Sequence, residues 1–171
     1  SLPYAIEESV NRLRVNMSFL GEDVKKIMVI STMPDEGKSF VTMQLWRQMA
    51  ETGVDCVLVD ADMRKSVMVD KYGLKKEDGS KILGSSYYLA NVVNPSILLE
   101  NHKFEEMLDQ LAEKYRYVFV DAPPLNLVSD GERIGSLCDG AVLVVRGNST
   151  PKNIGKNSAL QLERAGCPLL G

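Results

Sequence analysis

The chain has 171 residues, of which 44% are hydrophobic and 25% charged, and its formal net charge is −3 at pH 7. These values are ordinary for a soluble globular domain and exclude nucleic-acid binding through an overall basic charge. The longest apolar runs, such as 141–145, have the length of a strand and are too short to span a bilayer. Three cysteines and a single histidine argue against a disulfide framework or a zinc site and indicate a reducing compartment.

The first third of the chain predicts a helix, a strand and a second helix. Apolar residues at helical spacing predict a helix over 4–20, which Gly21 closes. Its stripe consists of Ile6, Val10, Leu13, Met17 and Leu20. A strand over 26–30 follows and runs into a turn, after which Gly-Lys-Ser opens a helix over 38–51.

The rest of the chain continues the alternation of strands and helices. The apolar run 56–60 is typical of a parallel strand covered on both faces, and no confident element is predicted between 67 and 94. The later predicted elements are a short helix over 94–99, a helix from 104 to about 115, a strand over 117–121, a helix from 129 or 130 to 137, a strand over 141–146, a helix from 150 that ends before Gly166, and the entry to a further strand over 168–171. This order predicts an α/β fold with a mainly parallel central sheet and helices on both faces.

The turn after the first strand has the order of a phosphate-binding P-loop. It reads Ser31-Thr32-Met33-Pro34-Asp35-Glu36-Gly37-Lys38-Ser39. In such a loop Lys38 can reach the outer phosphates and the Ser39 hydroxyl can ligate Mg²⁺. Because Thr32 stands where the standard pattern has its first glycine, the loop alone also fits an ordinary strand-to-helix turn.

Two later strands end in aspartates. Asp60 and Asp62 follow the second strand, and Asp121 ends the third. A parallel sheet brings the carboxyl ends of its strands to one edge, so these residues should face phosphates held by Lys38. Carboxylates can ligate Mg²⁺ or accept a proton from an attacking hydroxyl, whereas a single such aspartate is more often a turn cap. The three strand ends together predict a nucleotide site.

These segments together resemble the bacterial tyrosine kinases of capsular and exopolysaccharide synthesis. The loop 31–39 is similar to the family's P-loop, 57–64 to its second Walker A′ motif and 118–124 to its Walker B motif. The segments 94–99 and 139–146 also resemble the family, and the resemblance covers most of the chain.

The resemblance implies a single P-loop NTPase-like kinase domain over 1–171 with an extra N-terminal helix, and autophosphorylating transfer from ATP with Mg²⁺ to protein tyrosines. The implied nucleotide-binding residues are Thr32, Pro34, Asp35, Glu36, Gly37, Lys38, Ser39 and Phe40. The implied catalytic residues are Lys38, Asp60 and Asp62, and the implied metal ligands are Ser39, Asp60 and Asp121.

The resemblance also implies partners and a location. The family works beside a membrane-spanning activator, a polysaccharide co-polymerase protein, so the expected location is the cytoplasm at the inner face of the membrane. The opening helix resembles the family's Glu-x-x-Arg-x-x-Arg-x-Asn assembly motif, which implies a homo-oligomeric ring joined through Glu8, Arg12 and Arg14. From spacing alone, a solvated polar helix face explains the same residues.

The sequence departs from the family pattern in four places. Asp35 replaces a glycine and adds negative charge to the loop, and Asn11 replaces the first arginine of the assembly motif. The stretch between Arg64 and Asn94 is shorter than in the family. No tyrosine-rich tail is present, and the family's last strands and tail are expected beyond residue 171. The tyrosines are Tyr4, Tyr72, Tyr87, Tyr88, Tyr115 and Tyr117.

Two other functions fit the same elements. A partition- or septum-positioning-type P-loop ATPase shares the α/β plan, but such enzymes usually carry a lysine early in a Gly-rich loop, where Met33 and Pro34 stand here. A nucleotide-binding assembly module without kinase activity is the third hypothesis, supported by Asp35 and the absent tail.

Overall fold

The computed structural model describes residues 4–31, 38–61, 85–88, 102–122, 130–144, 160, 162–164 and 166–171. The helices in these ranges are α1 (Tyr4–Met17), α2 (Lys38–Glu51), α3 (Lys103–Lys114) and α4 (Asp130–Ser136). The strands are β1 (Lys26–Ser31), β2 (Cys56–Asp60), β3 (Ser85–Tyr88), β4 (Tyr117–Asp121) and β5 (Gly140–Val144).

The five strands form one parallel sheet in the order β3-β2-β4-β1-β5. β4 lies between β1 and β2 and is buried along its whole length, which explains its continuous apolar sequence. One sheet face packs against α1 and α2, and the other against α3 and α4. The structure thus confirms the predicted α/β class, the mainly parallel sheet and the helices on both faces.

Tyr117, the first residue of β4, and Arg116 before it bind the end of α1 and the segment that follows it. Tyr117 Oη donates a hydrogen bond to the carbonyl oxygen of Met17 at 3.0 Å. The Arg116 guanidinium lies 4.3 Å from the centroid of the Tyr117 ring and donates to the carbonyl oxygens of Val24 and Gly21 at 2.8 and 3.2 Å. The helix ends at Met17 rather than at residue 20 because the Met17 carbonyl also accepts the amide N–H of Leu20 in a tight turn.

Two parts of the sheet differ from the sequence prediction. β3 was not predicted, because Ser85-Ser86-Tyr87-Tyr88 lacks the apolar run of the buried strands. The predicted strand over 168–171 is a single parallel bridge between Leu169 and Ala141. The predicted helix over 94–99 lies outside the described residues, as does most of the helix from 150, of which 160 and 162–164 are helical.

Candidate functional site

Asp121 lies at the carboxyl edge of the sheet between two neighbouring strands. In the register of the sheet it pairs with Val29 of β1 on one side and with Asp60 of β2 on the other. The ladder continues past the strand ends, where Ala61 N–H donates to the Asp121 carbonyl at 2.9 Å and Ala122 N–H donates to the Val29 carbonyl at 3.1 Å. The backbone of Asp121 is therefore fixed on both sides.

The first residue of α2 contacts Asp121 directly. Lys38 Nζ donates a hydrogen bond to Asp121 Oδ1, and the exposed fractions of the two side chains are 7% and 0%. They are the buried charged side chains of the described part of the chain. Removing two charges from water is costly, and direct pairing offsets that cost. The fold thus places a buried cation and a buried carboxylate where the P-loop sequence enters α2.

Two further buried polar residues lie at this end of the sheet and were not predicted as site residues. Thr42 Oγ1 donates to the Lys38 carbonyl oxygen at 2.7 Å, which occupies a backbone acceptor in the first turn of α2. Ser31, the last residue of β1, is also buried. Thr42 lies four residues after Lys38, and residues four apart share a helix face. This spacing was the signal in the sequence for the contact between Thr42 and Lys38.

The other predicted site residues are only partly described. Asp60 ends β2, and Ser39 and Phe40 are the second and third residues of α2, with Phe40 half-buried. The remaining predicted residues lie outside the described ranges: Thr32, Pro34, Asp35, Glu36, Gly37 and Asp62.

The donor set suits a hard cation. Asp60 and Asp121 are register partners, and carboxylate oxygens are the ligands that Mg²⁺ prefers. Among the residues the structure describes, no three His, Cys, Asp or Glu side chains come together as a metal-binding group. Mg²⁺ with a nucleotide needs only one or two carboxylates, because phosphate oxygens and water complete its coordination.

The predicted assembly residues lie on the surface of α1. Glu8 and Arg12 are exposed one helical turn apart, and Arg14 is half-buried. Val15 in the last turn of α1 and Phe19, two residues after the helix ends, are also exposed. In the described parts of the chain, no helix has the length and apolar character needed to cross a membrane.

The three cysteines are buried and poorly suited to nucleophilic chemistry. Burial, with a smaller contribution from Asp55, raises the pKa of Cys56 to about 12. Burial, with a smaller contribution from the nearby Asp139, raises the pKa of Cys167 to about 11. Burial also raises the pKa of Cys138 well above its ordinary value. A thiol with a raised pKa is protonated at neutral pH and reacts slowly.

The chain is similar to proteins named as tyrosine kinases. It is 32% identical to the tyrosine-protein kinase CpsD of Streptococcus agalactiae over 185 aligned positions, which cover 96% of this chain and 81% of that protein. Because the alignment is longer than the 171 residues of this chain, the relative carries segments that this chain lacks. No family model matches the chain.

Solved structures share the fold. The kinase domain of Escherichia coli tyrosine kinase ETK matches with a TM-score of 0.84 at 22% identity, covering 95% of this chain and 73% of that one. The septum site-determining protein MinD of Pyrococcus horikoshii, complexed with Mg-ADP, matches with a TM-score of 0.65 at 21% identity, covering 86% and 68%. At these identities the likeness concerns the fold alone.

Proposed function

The chain belongs to the bacterial tyrosine kinase family of capsular and exopolysaccharide synthesis, and on that premise we propose that it transfers the γ-phosphoryl group of ATP to protein tyrosines. The observation that carries the proposal is the buried contact between Lys38 and Asp121, with Asp60 as the register partner of Asp121. Phosphoryl-transfer sites use a lysine to bind the phosphates and aspartates to hold Mg²⁺, so the meeting of these residue types at the carboxyl edge supports the proposal.

Lys38 and the start of α2 bind the phosphates in this proposal. Backbone N–H groups and the positive end of the helix dipole favour an anion at a helix N-terminus. Lys38 lies at this helix N-terminus as a buried cation paired with Asp121. When its ammonium group moves to the outer phosphates, it exchanges one anionic partner for another. The loop residues predicted to surround the phosphates are Thr32, Pro34, Asp35, Glu36, Gly37, Ser39 and Phe40.

In this proposal the carboxylates bind the metal ion and accept the proton. Bound Mg²⁺ would neutralise charge on the phosphate oxygens, and Ser39, Asp60 and Asp121 are the residues that would hold it. Asp60 or Asp62 accepts the proton of the attacking tyrosine hydroxyl. The bond between the tyrosine oxygen and the γ-phosphorus forms, the bond from that phosphorus to the β–γ bridging oxygen breaks, and ADP leaves.

The proposal extends to assembly and location. The exposed turn of α1 that carries Glu8 and Arg12 supports a homo-oligomeric ring, in which Arg14 also takes part. A membrane-spanning polysaccharide co-polymerase would activate the kinase at the inner face of the membrane, and the substrates would be protein tyrosines. The resemblance to the family supports these proposed partners.

A septum-positioning-type ATPase is the second candidate, and the fold match to MinD supports it. Both folds match this chain at low identity, so the fold alone does not separate the two functions. The similarity to CpsD, at 32% identity, is to a protein named as a tyrosine kinase, so the kinase is favoured.

Phosphotyrosine formation tests the proposal. The chain is incubated with labelled ATP and Mg²⁺, with and without a tyrosine-bearing partner tail. Lys38→Met should abolish the label. Lys26→Met is the matched control, because Lys26 pairs with Asp109 near the opposite end of the sheet, and it should retain the label. Equal labelling of the two variants would contradict the assigned role of Lys38.

A further inference from the structure

Asp121 has two roles that compete with each other. It is a candidate ligand of Mg²⁺, and its fully buried side chain accepts a hydrogen bond from Lys38 Nζ at Oδ1. A carboxylate coordinates a cation through the same oxygen lone pairs that accept hydrogen bonds. The ammonium group of Lys38 and a metal ion therefore compete for one carboxylate.

Electrostatics favours the lysine as long as no nucleotide is bound. Lys38 already neutralises Asp121 in the interior, where charges are screened less than at the surface. A divalent cation that approached the pair would meet the positive ammonium group beside its intended ligand. Mg²⁺ also gives up its water reluctantly and needs anionic oxygens to do so. The ion pair thus keeps Asp121 closed to the metal ion.

The phosphates of a nucleotide reverse this balance. Lys38 is the first residue of α2, where backbone N–H groups and the helix dipole favour an anion. When the ammonium group moves to the outer phosphates, Asp121 is left in the interior without that cation. A nucleotide therefore adds phosphate oxygens for Mg²⁺ and also releases the carboxylate that Lys38 held.

We propose that the ion pair between Lys38 and Asp121 sets the order of binding: the nucleotide binds first, and Asp121 accepts the metal ion only after the phosphates have withdrawn Lys38. The inference rests on the proposed nucleotide site and describes how that site is filled. When ADP leaves, Lys38 returns to Asp121, so the site is reset without a bound metal ion.

Metal titration without nucleotide tests the order of binding and needs no turnover. The full chain is titrated with Mn²⁺, which prefers the same oxygen ligands as Mg²⁺ and is detected by electron paramagnetic resonance. Lys38→Met should bind Mn²⁺ at least about tenfold more tightly than the unaltered chain, within the usual range of coupling between two sites. Adding Asp121→Asn to Lys38→Met should abolish this gain. Lys38→Arg, which keeps the positive charge, and Lys26→Met, which leaves the pair intact, should bind Mn²⁺ as weakly as the unaltered chain.

Urea denaturation and nucleotide binding give two further readouts. Mg²⁺ alone should raise the denaturation midpoint of Lys38→Met, because it replaces the missing cation beside Asp121. It should leave the midpoints of the unaltered chain and of the double variant unchanged. If Lys38→Met does not fold, the unaltered chain decides the question: it should bind ADP in the presence of EDTA and bind Mn²⁺ only after ADP is added.

The outcomes separate this inference from the kinase proposal. Nucleotide-free Mn²⁺ binding by the unaltered chain that is as tight as binding by Lys38→Met overturns the inference, and so does ADP binding that requires the metal ion. Both results leave the kinase function standing. Absence of ADP binding with and without the metal ion overturns the nucleotide site, and the kinase function with it.

Discussion

Lys38 and Asp121 are 83 positions apart in the chain, yet Lys38 Nζ donates a hydrogen bond to Asp121 Oδ1 in the interior of the protein. The contact joins the first residue of α2 to the last residue of β4. The lysine that is proposed to bind phosphate therefore also neutralises a fully buried carboxylate. Stability and nucleotide binding should depend on the same side chain.

Lys38→Met should lower the free energy of unfolding by about 3–5 kcal/mol, because it removes one partner of a buried ion pair and leaves the other charge in the interior. Urea denaturation measures the loss. Adding Asp121→Asn to Lys38→Met should restore part of it, since the buried negative charge that had been balanced by Lys38 is then removed. Lys26→Met should cost less than about 1 kcal/mol, because its partner Asp109 is 55% exposed. Equal losses in the two lysine variants would contradict the interpretation.

Tyr117→Phe should loosen α1 from the sheet. The variant removes the hydrogen bond from Tyr117 Oη to the Met17 carbonyl, which is worth about 1 kcal/mol in a buried setting. Hydrogen exchange of the α1 amides should accelerate about fivefold. Tyr115→Phe is the control, because Tyr115 lies at the end of α3 on the other face of the sheet, away from α1. Unchanged exchange in Tyr117→Phe would show that the bond does not hold the helix.

Gly140→Ala should disturb the segment that follows Cys167. A Cβ at residue 140 would lie 2.5 Å from Leu170 Cδ1 and 2.7 Å from Leu170 Cγ, so Leu170 must move. The Leu170 amide donates to the Ala141 carbonyl at 2.7 Å, and its hydrogen exchange should accelerate. We expect the free energy of unfolding to fall by about 1–3 kcal/mol, as it does at other overpacked sites. Gly21→Ala, where a Cβ meets nothing within 4 Å, should be nearly neutral.

Alkaline pH should destabilise the protein partly through Cys56. Its pKa is about 12 in the folded chain against an ordinary 9.0, so between these values the unfolded chain loses a proton that the folded chain keeps. The contribution of Cys56 to the free energy of unfolding is complete below pH 9. It is lost as the pH rises above that value, by up to about 1.4 kcal/mol per pH unit. Urea denaturation from about pH 8 to about pH 11 should show a shallower decline for Cys56→Ala. Parallel curves would contradict this origin.

The apolar strands could be predicted from sequence, and the polar edge strand β3 could not. Cys56–Asp60 and Tyr117–Asp121 have the predicted bounds, because strands covered on both faces leave continuous apolar runs. Ser85–Tyr88 leaves no such run. Its position beside β2 depends on tertiary pairing, which no local pattern encodes.

The candidate site was predictable as a set of strand ends but not as a set of contacts. The aspartates were expected at one edge because parallel strands share a direction. The contact between Lys38 and Asp121 requires β4 to lie between β1 and β2, and local sequence patterns do not specify this order. The hydrogen bond from Tyr117 to Met17 could not be predicted for the same reason, since the two residues are 100 positions apart in the chain.

Tyrosine kinase activity is tested most directly by quantifying ADP and phosphotyrosine in one reaction of the chain with Mg-ATP and a tyrosine-bearing partner tail. We predict equal molar amounts of the two products, with both falling at least about 100-fold in Lys38→Met, the size of effect seen when one transition-state charge contact is removed. Steady ADP release without phosphotyrosine, in the presence of the partner tail, would contradict the kinase and favour the ATPase.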